Sequence, residues 1–351
     1  MNKKRKLLLI GSNGVHLHNY IQLIDGFFDE TEWLTNEVNA DDPVHSVAMD
    51  FSVFKNPLKT RHTIKAVRKR ILEFNPDVIH VHQANSYAWI ALKASENLSI
   101  PVIVTAWGSD ILLNPEKGIW MRKMVRYILK TATAFTCDSW FMANRMNVLL
   151  PERNLDIMIA NYGISTQNIS VYDKEKIFYS NRLHKSLYRI DSIIDAFSLF
   201  LKNEQNRDWK LVIAATGELT DSLKQKVHNL QISDNVEFAG WVSSSQNIEF
   251  YSKASFFVSV PETDATSISL LEAMYYGAIP VVSNLPSNLE WVNDGINGCV
   301  VQNLNSDFLL PALLVNQEEA RALNRKIIEA KGTKEVNRRL YLSLYERLFR
   351  Q

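Results

Sequence analysis

Cysteine is nearly absent from this chain of 351 residues, with Cys137 and Cys299 far apart and outside any metal-ligand spacing. That scarcity excludes a disulfide framework and fits a reducing compartment, where buried thiols act as small hydrophobes. No apolar run approaches the ~18 residues of a spanning helix, and Leu7 to Ile10 is too short an apolar stretch for an export signal. The cytoplasm is therefore the expected location. Glycine (12) and proline (10) are scarce, which excludes collagen-like and low-complexity chains. A net charge of +1 argues against bulk nucleic-acid binding.

What is present is the composition of a globular protein, 46% hydrophobic and 22% charged, in a length that suits two cores rather than one. Short apolar runs at Lys6–Ile10, Val47–Met49, Val78–Val81, Val102–Thr105, Phe135–Cys137 and Ile157–Ala160 are separated by stretches of helical periodicity. This is the rhythm of a parallel α/β sheet. It restarts after a polar stretch, with strands expected at Ile177–Ser180, Lys210–Ala214, Val236–Ala239, Phe256–Val260 and Pro280–Ser283. Two Rossmann-like, doubly wound domains facing a cleft follow: residues 1–168, residues 169–332, and a terminal helix over 333–351 that can pack back on the first domain. Ligands of such sheets gather at the C-terminal strand ends, so the cleft is the expected site.

One charged stretch stands out. Lys55, Lys59, Arg61, Lys65, Arg68, Lys69 and Arg70 occur without an acid among them, and Ile64, Val67, Ile71 and Phe74 recur at helical spacing. The segment 55–74 reads as an amphipathic helix with a cationic face, either simply solvated or in contact with anionic headgroups at the inner face of the membrane.

The segment most informative for chemistry is Phe256 to Ser283, FFVSVPETDATSISLLEAMYYGAIPVVS: a buried strand, a polar loop, an amphipathic helix, a glycine stop and a second buried strand. A helix opening near Ser267 or Ile268 presents unpaired N–H groups, a ready phosphate site. Asp264 precedes that helix and Glu272 lies within it, and carboxylates suit hydroxyl donors. From periodicity alone, Asp264 reads as an N-cap and Glu272 as an exposed helix residue.

This segment resembles the donor signature of GT-B glycosyltransferase family 4, in which two acids eight residues apart flank the loop and helix; here they are Asp264 and Glu272. Asp264 replaces the commoner glutamate, and TSIS replaces a glycine-aromatic-glycine loop. Upstream, NRLHKSLYRIDSIIDAF resembles the first strand end of the family's C-terminal domain, which carries an Arg and a Lys for the diphosphate. Arg182 matches the arginine. Tyr188 stands at the lysine position, so Lys185 or Arg189 is left to supply the second cation, with Lys185 favoured. AATGELTDSLKQKV, with Gly217, is similar to the family's glycine turn. NVEFAGWVSSSQNIEFYSKA is similar to its base-binding strand, placing Trp241 and Val242 beside the nucleobase. Ser267, Ile268 and Ser269 would take phosphate oxygens, Asp264 the sugar and Glu272 the ribose. By itself Trp241 reads as a packing residue.

In the first half, GSNGVHLHNYIQLI places Gly11 and Gly14 where backbone can approach a phosphate, with His16 nearby. VIHVHQANSYAWIALKA and PVIVTAWGSDILL resemble the N-terminal domain of a subgroup of the same family. Trp107 takes the place of a histidine near the reaction centre. Asp110 is the expected acceptor-side carboxylate, orienting or deprotonating a hydroxyl, or else a cap of the following helix. Asn161 is expected to line the cleft. The resemblance implies a retaining hexosyl- or N-acetylhexosaminyltransferase using a UDP-sugar, or a GDP-sugar, as co-substrate. Its acceptor would be a glycan or a lipid-linked hydroxyl in envelope polysaccharide or lipopolysaccharide synthesis. No Asp-x-Asp pair occurs, and neither metal nor cofactor is expected. Arg182 and Lys185 would stabilise the leaving diphosphate, with Asp264 and Asp110 completing the catalytic set. A sugar-nucleotide epimerase or hydrolase of the same fold, and a non-catalytic partner protein, are the alternatives.

Overall fold

A computed structural model describes residues 4–52, 56–167 and 172–350. Lys55 and the linker expected near residue 170 lie outside the described residues. The chain forms two compact units, residues 1–162 with 337–351, and residues 163–336.

Among the described residues the first unit holds β1 (Lys6–Ile10), β2 (Glu30–Thr35), β3 (His45–Ala48), β4 (Val78–His82), β5 (Val102–Thr105), β6 (Ala134–Cys137) and β7 (Ile157–Ile159). They pair in parallel in the order β3-β2-β1-β4-β5-β6-β7. The central strands are buried along nearly their whole length because both faces are covered. Val67, Ile71, Ala91, Val125, Ile128 and Met146 close one face from four helices, and Leu17, Tyr20, Tyr341 and Tyr345 close the other. The last two belong to the helix Lys334–Phe349, whose residues from Asn337 onward fold with this unit.

The sequence pattern passes over β2, and Glu32 is the reason. This carboxylate sits mid-strand and 3% exposed, held in a bidentate pair by Arg70 from the helix Pro57–Phe74. A buried glutamate breaks the apolar run that marks a central strand; the arginine makes its burial tolerable.

The same pairing corrects the reading of the basic segment. The helix Pro57–Phe74 buries Thr60, Thr63, Val67 and Ile71. Its cations are largely engaged within the unit, however: Lys59 with Asp50 at 2.5 Å, Arg68 with the carbonyls of Ala94 and Glu96 at 2.8 Å, Lys69 with Glu73, and Arg70 with Glu32. The acids are supplied mostly from outside the segment, so its composition overstates the free cationic face. No helix of the described residues is long and apolar enough to cross a membrane.

The second unit repeats the plan with β8 (Glu175–Ser180), β9 (Lys210–Ala214), β10 (Val236–Gly240), β11 (Ala254–Ser259), β12 (Ile279–Ser283) and β13 (Cys299–Val301), ordered β10-β9-β8-β11-β12-β13 and parallel throughout. The direction of winding reverses between β8 and β11. The loops leaving those two strands therefore splay apart and leave a crevice at their C-terminal ends.

Candidate active site

Arg182 leaves the end of β8 and Asp264 and Ser267 follow β11, so the reversal point brings them together. The Arg182 guanidinium donates to Asp264 Oδ2 at 2.6 Å and to Ser267 Oγ. Its flat face lies over the Tyr188 ring, 4.4 Å from the centroid. The side chain is 11% exposed and held from three sides. Tyr188, which stands where the resemblance expects a lysine, is thus a cation-π seat for the neighbouring arginine. That role follows only from the fold of the short turn Ser186–Tyr188.

Asp264 is not a helix cap. The helix Ile268–Tyr276 is preceded by Ser267, and no side chain caps its first N–H groups, because the Ser267 hydroxyl accepts from Arg182 instead. The amides of Ile268 and Ser269 therefore carry the positive end of the helix uncapped. Burial pushes the Asp264 carboxyl up, and the Arg182 charge opposes that rise. Asp264 holds Arg182, a task beside the sugar contact expected from sequence.

Glu272 is not an exposed helix residue either. It is half-buried, and burial raises its carboxyl above the ordinary range against the pull of Tyr251 and Lys334. Behind it runs a polar chain that sequence reasoning missed. Asn181 donates to Tyr251 Oη at 2.7 Å and to Asn247 Oδ1 at 3.0 Å, and Tyr179 donates to the same oxygen at 2.5 Å. These residues lie at the end of β8 and on the helix Ser244–Lys253, and nothing in their sequence spacing marks them as partners.

The remaining predicted positions sort by exposure. Lys185 is exposed, whereas Arg189 sits 3.9 Å from Glu262. Gly217 lies against the loop after β8, where an added Cβ would stand 2.5 Å from the His184 carbonyl oxygen. A side chain there would collide with backbone. Trp241 is 74% exposed at the end of β10, which excludes a packing role, while Val242 is partly buried against the core.

In the first unit, Asp110 requires correction. It is 2% exposed, and its two oxygens accept from the backbone N–H groups of Ala84 at 2.7 Å, Gly108 at 2.9 Å, and Trp107 and Ile111 at 3.1 Å. A carboxylate wrapped by four amides ties the turn after β5 to the loop after β4 and has no face left for an acceptor hydroxyl. The capping alternative is nearer the observed role.

His16, Trp107 and Tyr162 do come together. The His16 ring packs at a tilt against Trp107, centroids 4.7 Å apart, and both Trp107 Nε1 and Tyr162 Oη lie 3.3 Å from Nδ1 of His82 at the end of β4. Indole only donates, so His82 Nδ1 accepts and the ring proton sits on Nε2, for which the described residues provide no partner. Asn161 is buried, its N–H donating to Asn337 Oδ1 at 2.9 Å. Gly14 faces open space. One strand turn earlier, His80 bonds Tyr20 and Tyr345 through Nδ1 at 2.8 and 2.6 Å, and Thr105 through Nε2 at 2.7 Å.

Both histidines are fully buried. Burial lowers His80 to about 3 and His82 well below the usual value, the latter helped by its histidine neighbours. A folded pKa below the unfolded value lets the unfolded chain bind a proton that the fold refuses, so stability falls as pH drops below ~6.5. At about pH 5.5 the two together should cost about 3 kcal/mol. Urea titrations at pH 7.5 and 5.5 check this. His80→Gln, already less stable at neutral pH, should lose about half as much further stability on acidification; an equal loss would assign the sensitivity elsewhere.

Comparison with known proteins matches residues 164–340 to the family Glycosyl transferases group 1, and residues 35–139 to Glycosyl transferase 4-like. The chain belongs to the glycosyl transferases group 1 family. A glycosyl transferase relative, the alpha-monoglucosyldiacylglycerol synthase of Streptococcus pneumoniae, is 23% identical over 243 residues, which is 60% of this chain and 52% of that protein. The chain thus matches about half of that relative's length. Two solved structures share the GT-B fold at a TM-score of 0.78. One is a glycosyltransferase from Rickettsia africae, 14% identical with 99% of both chains covered. The other is the Anabaena HepE protein in complex with UDP, 13% identical with 97% of this chain and 100% of that one covered. Membership in the group 1 family places the chain among glycosyltransferases, transferase enzymes of the GT-B fold.

Proposed function

We propose that the chain moves a hexose or N-acetylhexosamine from a UDP-sugar to a glycan or lipid-linked hydroxyl, with retention of anomeric configuration, in envelope polysaccharide or lipopolysaccharide synthesis. The observation that carries the donor site is Arg182, fixed at the reversal point of the second sheet by Asp264, Ser267 and Tyr188. Breaking the bond between sugar and diphosphate puts negative charge on the departing phosphate oxygens. A guanidinium already held in place, beside an uncapped helix N-terminus, meets that charge without reorganising. Lys185, exposed in the same loop, adds a second cation, and Glu272 takes the ribose diol.

Uracil as the base has the support of the Anabaena fold relative, which holds UDP. A lipid acceptor has the support of the Streptococcus relative, named for a glucosylated diacylglycerol. Retention and the envelope setting rest on the family resemblance.

Calorimetry with UDP and GDP tests the donor site. Wild type should bind UDP, and Glu272→Ala should bind it about 30- to 100-fold more weakly, the loss of hydrogen bonds from a diol to a charged acceptor. A folded wild type that binds neither nucleotide would remove the donor assignment. Release of free sugar without an acceptor would make the chain a sugar-nucleotide hydrolase instead.

A further inference from the structure

The first unit presents a second surface, which goes beyond the donor-site reading. The helices Ile119–Thr131 and Trp140–Leu149 follow neighbouring strands β5 and β6 and are tied to each other through side chains. Arg126 of the first donates to the carbonyl of Leu149 at the end of the second, and Arg145 of the second pairs with Glu116 just before the first. Each helix begins at the C-terminal edge of the sheet, and each carries a tryptophan in its first turn: Trp120 and Trp140 are both 71% exposed. Leu113, Ile119 and Phe141 are exposed at the same edge.

The charge beside this apolar edge has one sign. From Leu113 to Val125 the chain carries Lys117, Arg122 and Lys123, all exposed, against the single acid Glu116, which Arg145 neutralises. Lys123 Nζ lies 5.3 Å from the Trp120 ring centroid, so cation and indole are adjacent. Single exposed apolar residues are ordinary on a protein surface. Two exposed indoles in the first turns of adjacent helices, bordered by unopposed cations, are the composition that seats at the boundary between headgroups and acyl chains. The helix Pro57–Phe74, whose cations Lys59, Arg68, Lys69 and Arg70 are engaged by neighbours, lacks such an apolar edge apart from Leu58 and Leu72.

We propose that this edge, the first turns of the helices Ile119–Thr131 and Trp140–Leu149, docks the protein on the headgroup layer of an anionic bilayer. The indoles and Ile119 enter the boundary region, and Lys117, Arg122 and Lys123 face lipid phosphates.

The test is flotation of the full chain with vesicles of phosphatidylglycerol and phosphatidylcholine, against phosphatidylcholine alone, with tryptophan emission recorded in parallel. Expected are partition to the anionic vesicles, a blue shift on binding, and weakening by salt. Lys117→Glu with Arg122→Glu and Lys123→Glu should weaken partition about 100-fold. Trp120→Ser with Trp140→Ser should weaken it about 10-fold or more. Arg61→Glu with Lys65→Glu, on the helix Pro57–Phe74, should stay within about 2-fold of wild type. All these positions are exposed, and UDP binding by each variant reports an intact fold and separates this proposal from the donor-site reading. Failure of wild type to float with anionic vesicles overturns it. So does partition lost only in the Arg61 and Lys65 variant, or an emission shift produced by soluble glycans and not by vesicles.

Discussion

Arg182→Ala is expected to lower sugar transfer by about 10²- to 10³-fold, the effect of removing one preorganised donor from the charge that develops in the transition state. The geometry makes a further demand on the same variant. Asp264 is partly buried, and the arginine is what holds its carboxyl down against burial. Without the arginine the folded-state pKa of Asp264 rises further above its unfolded value. The fold then binds a proton that the unfolded chain does not, so stability falls as pH rises through the new pKa. Arg182→Ala should therefore be less stable than wild type at pH 8 and recover part of the difference at pH 5. Adding Asp264→Asn should restore stability at pH 8 without restoring transfer. Arg182→Lys keeps the charge but cannot serve Asp264 and Ser267 as a planar fork, and should stay at least about 10-fold below wild type. Turnover by Arg182→Ala at the wild-type rate would show that the leaving group is stabilised elsewhere.

The parts of this site that were legible in the sequence share a property. Arg182, Asp264, Ser267 and Glu272 lie in short ordered segments whose spacing resembles a family signature, and the fold then brings β8 and β11 side by side. What was not legible depends on neighbours that spacing does not encode. Tyr188 reads as a missing lysine until the turn Ser186–Tyr188 places its ring under Arg182. His80 and His82 alternate with apolar residues in β4, a pattern suited to a half-exposed strand, yet both are fully buried because helices cover each face of the sheet. The cations of the helix Pro57–Phe74 look free because their acids, Glu32 and Asp50, come from earlier in the chain. In each case the strand and helix pattern was readable and the partner was not.

Asp110 is the sharpest instance, and its substitution separates two roles that look alike in sequence. A carboxylate at the end of β5 reads as an acceptor-side base, but the fold turns it inward to four backbone amides. Asp110→Ala leaves those donors buried without an acceptor, at about 1–3 kcal/mol for each that water does not reach. A loss of about 4 kcal/mol overall is expected, a large fraction of the stability of an ordinary domain. Asp110→Asn keeps one oxygen and the shape, and should lose only about 1–2 kcal/mol. If Asp110 ties loops together, the asparagine variant folds and keeps transfer within a few-fold of wild type, measured below its melting temperature. If it were a base, the same variant would keep its stability and lose transfer by about 100-fold or more, since an amide cannot take a proton. The four amides decide the expectation, because a base must present a lone pair to the substrate and Asp110 presents both oxygens to the backbone.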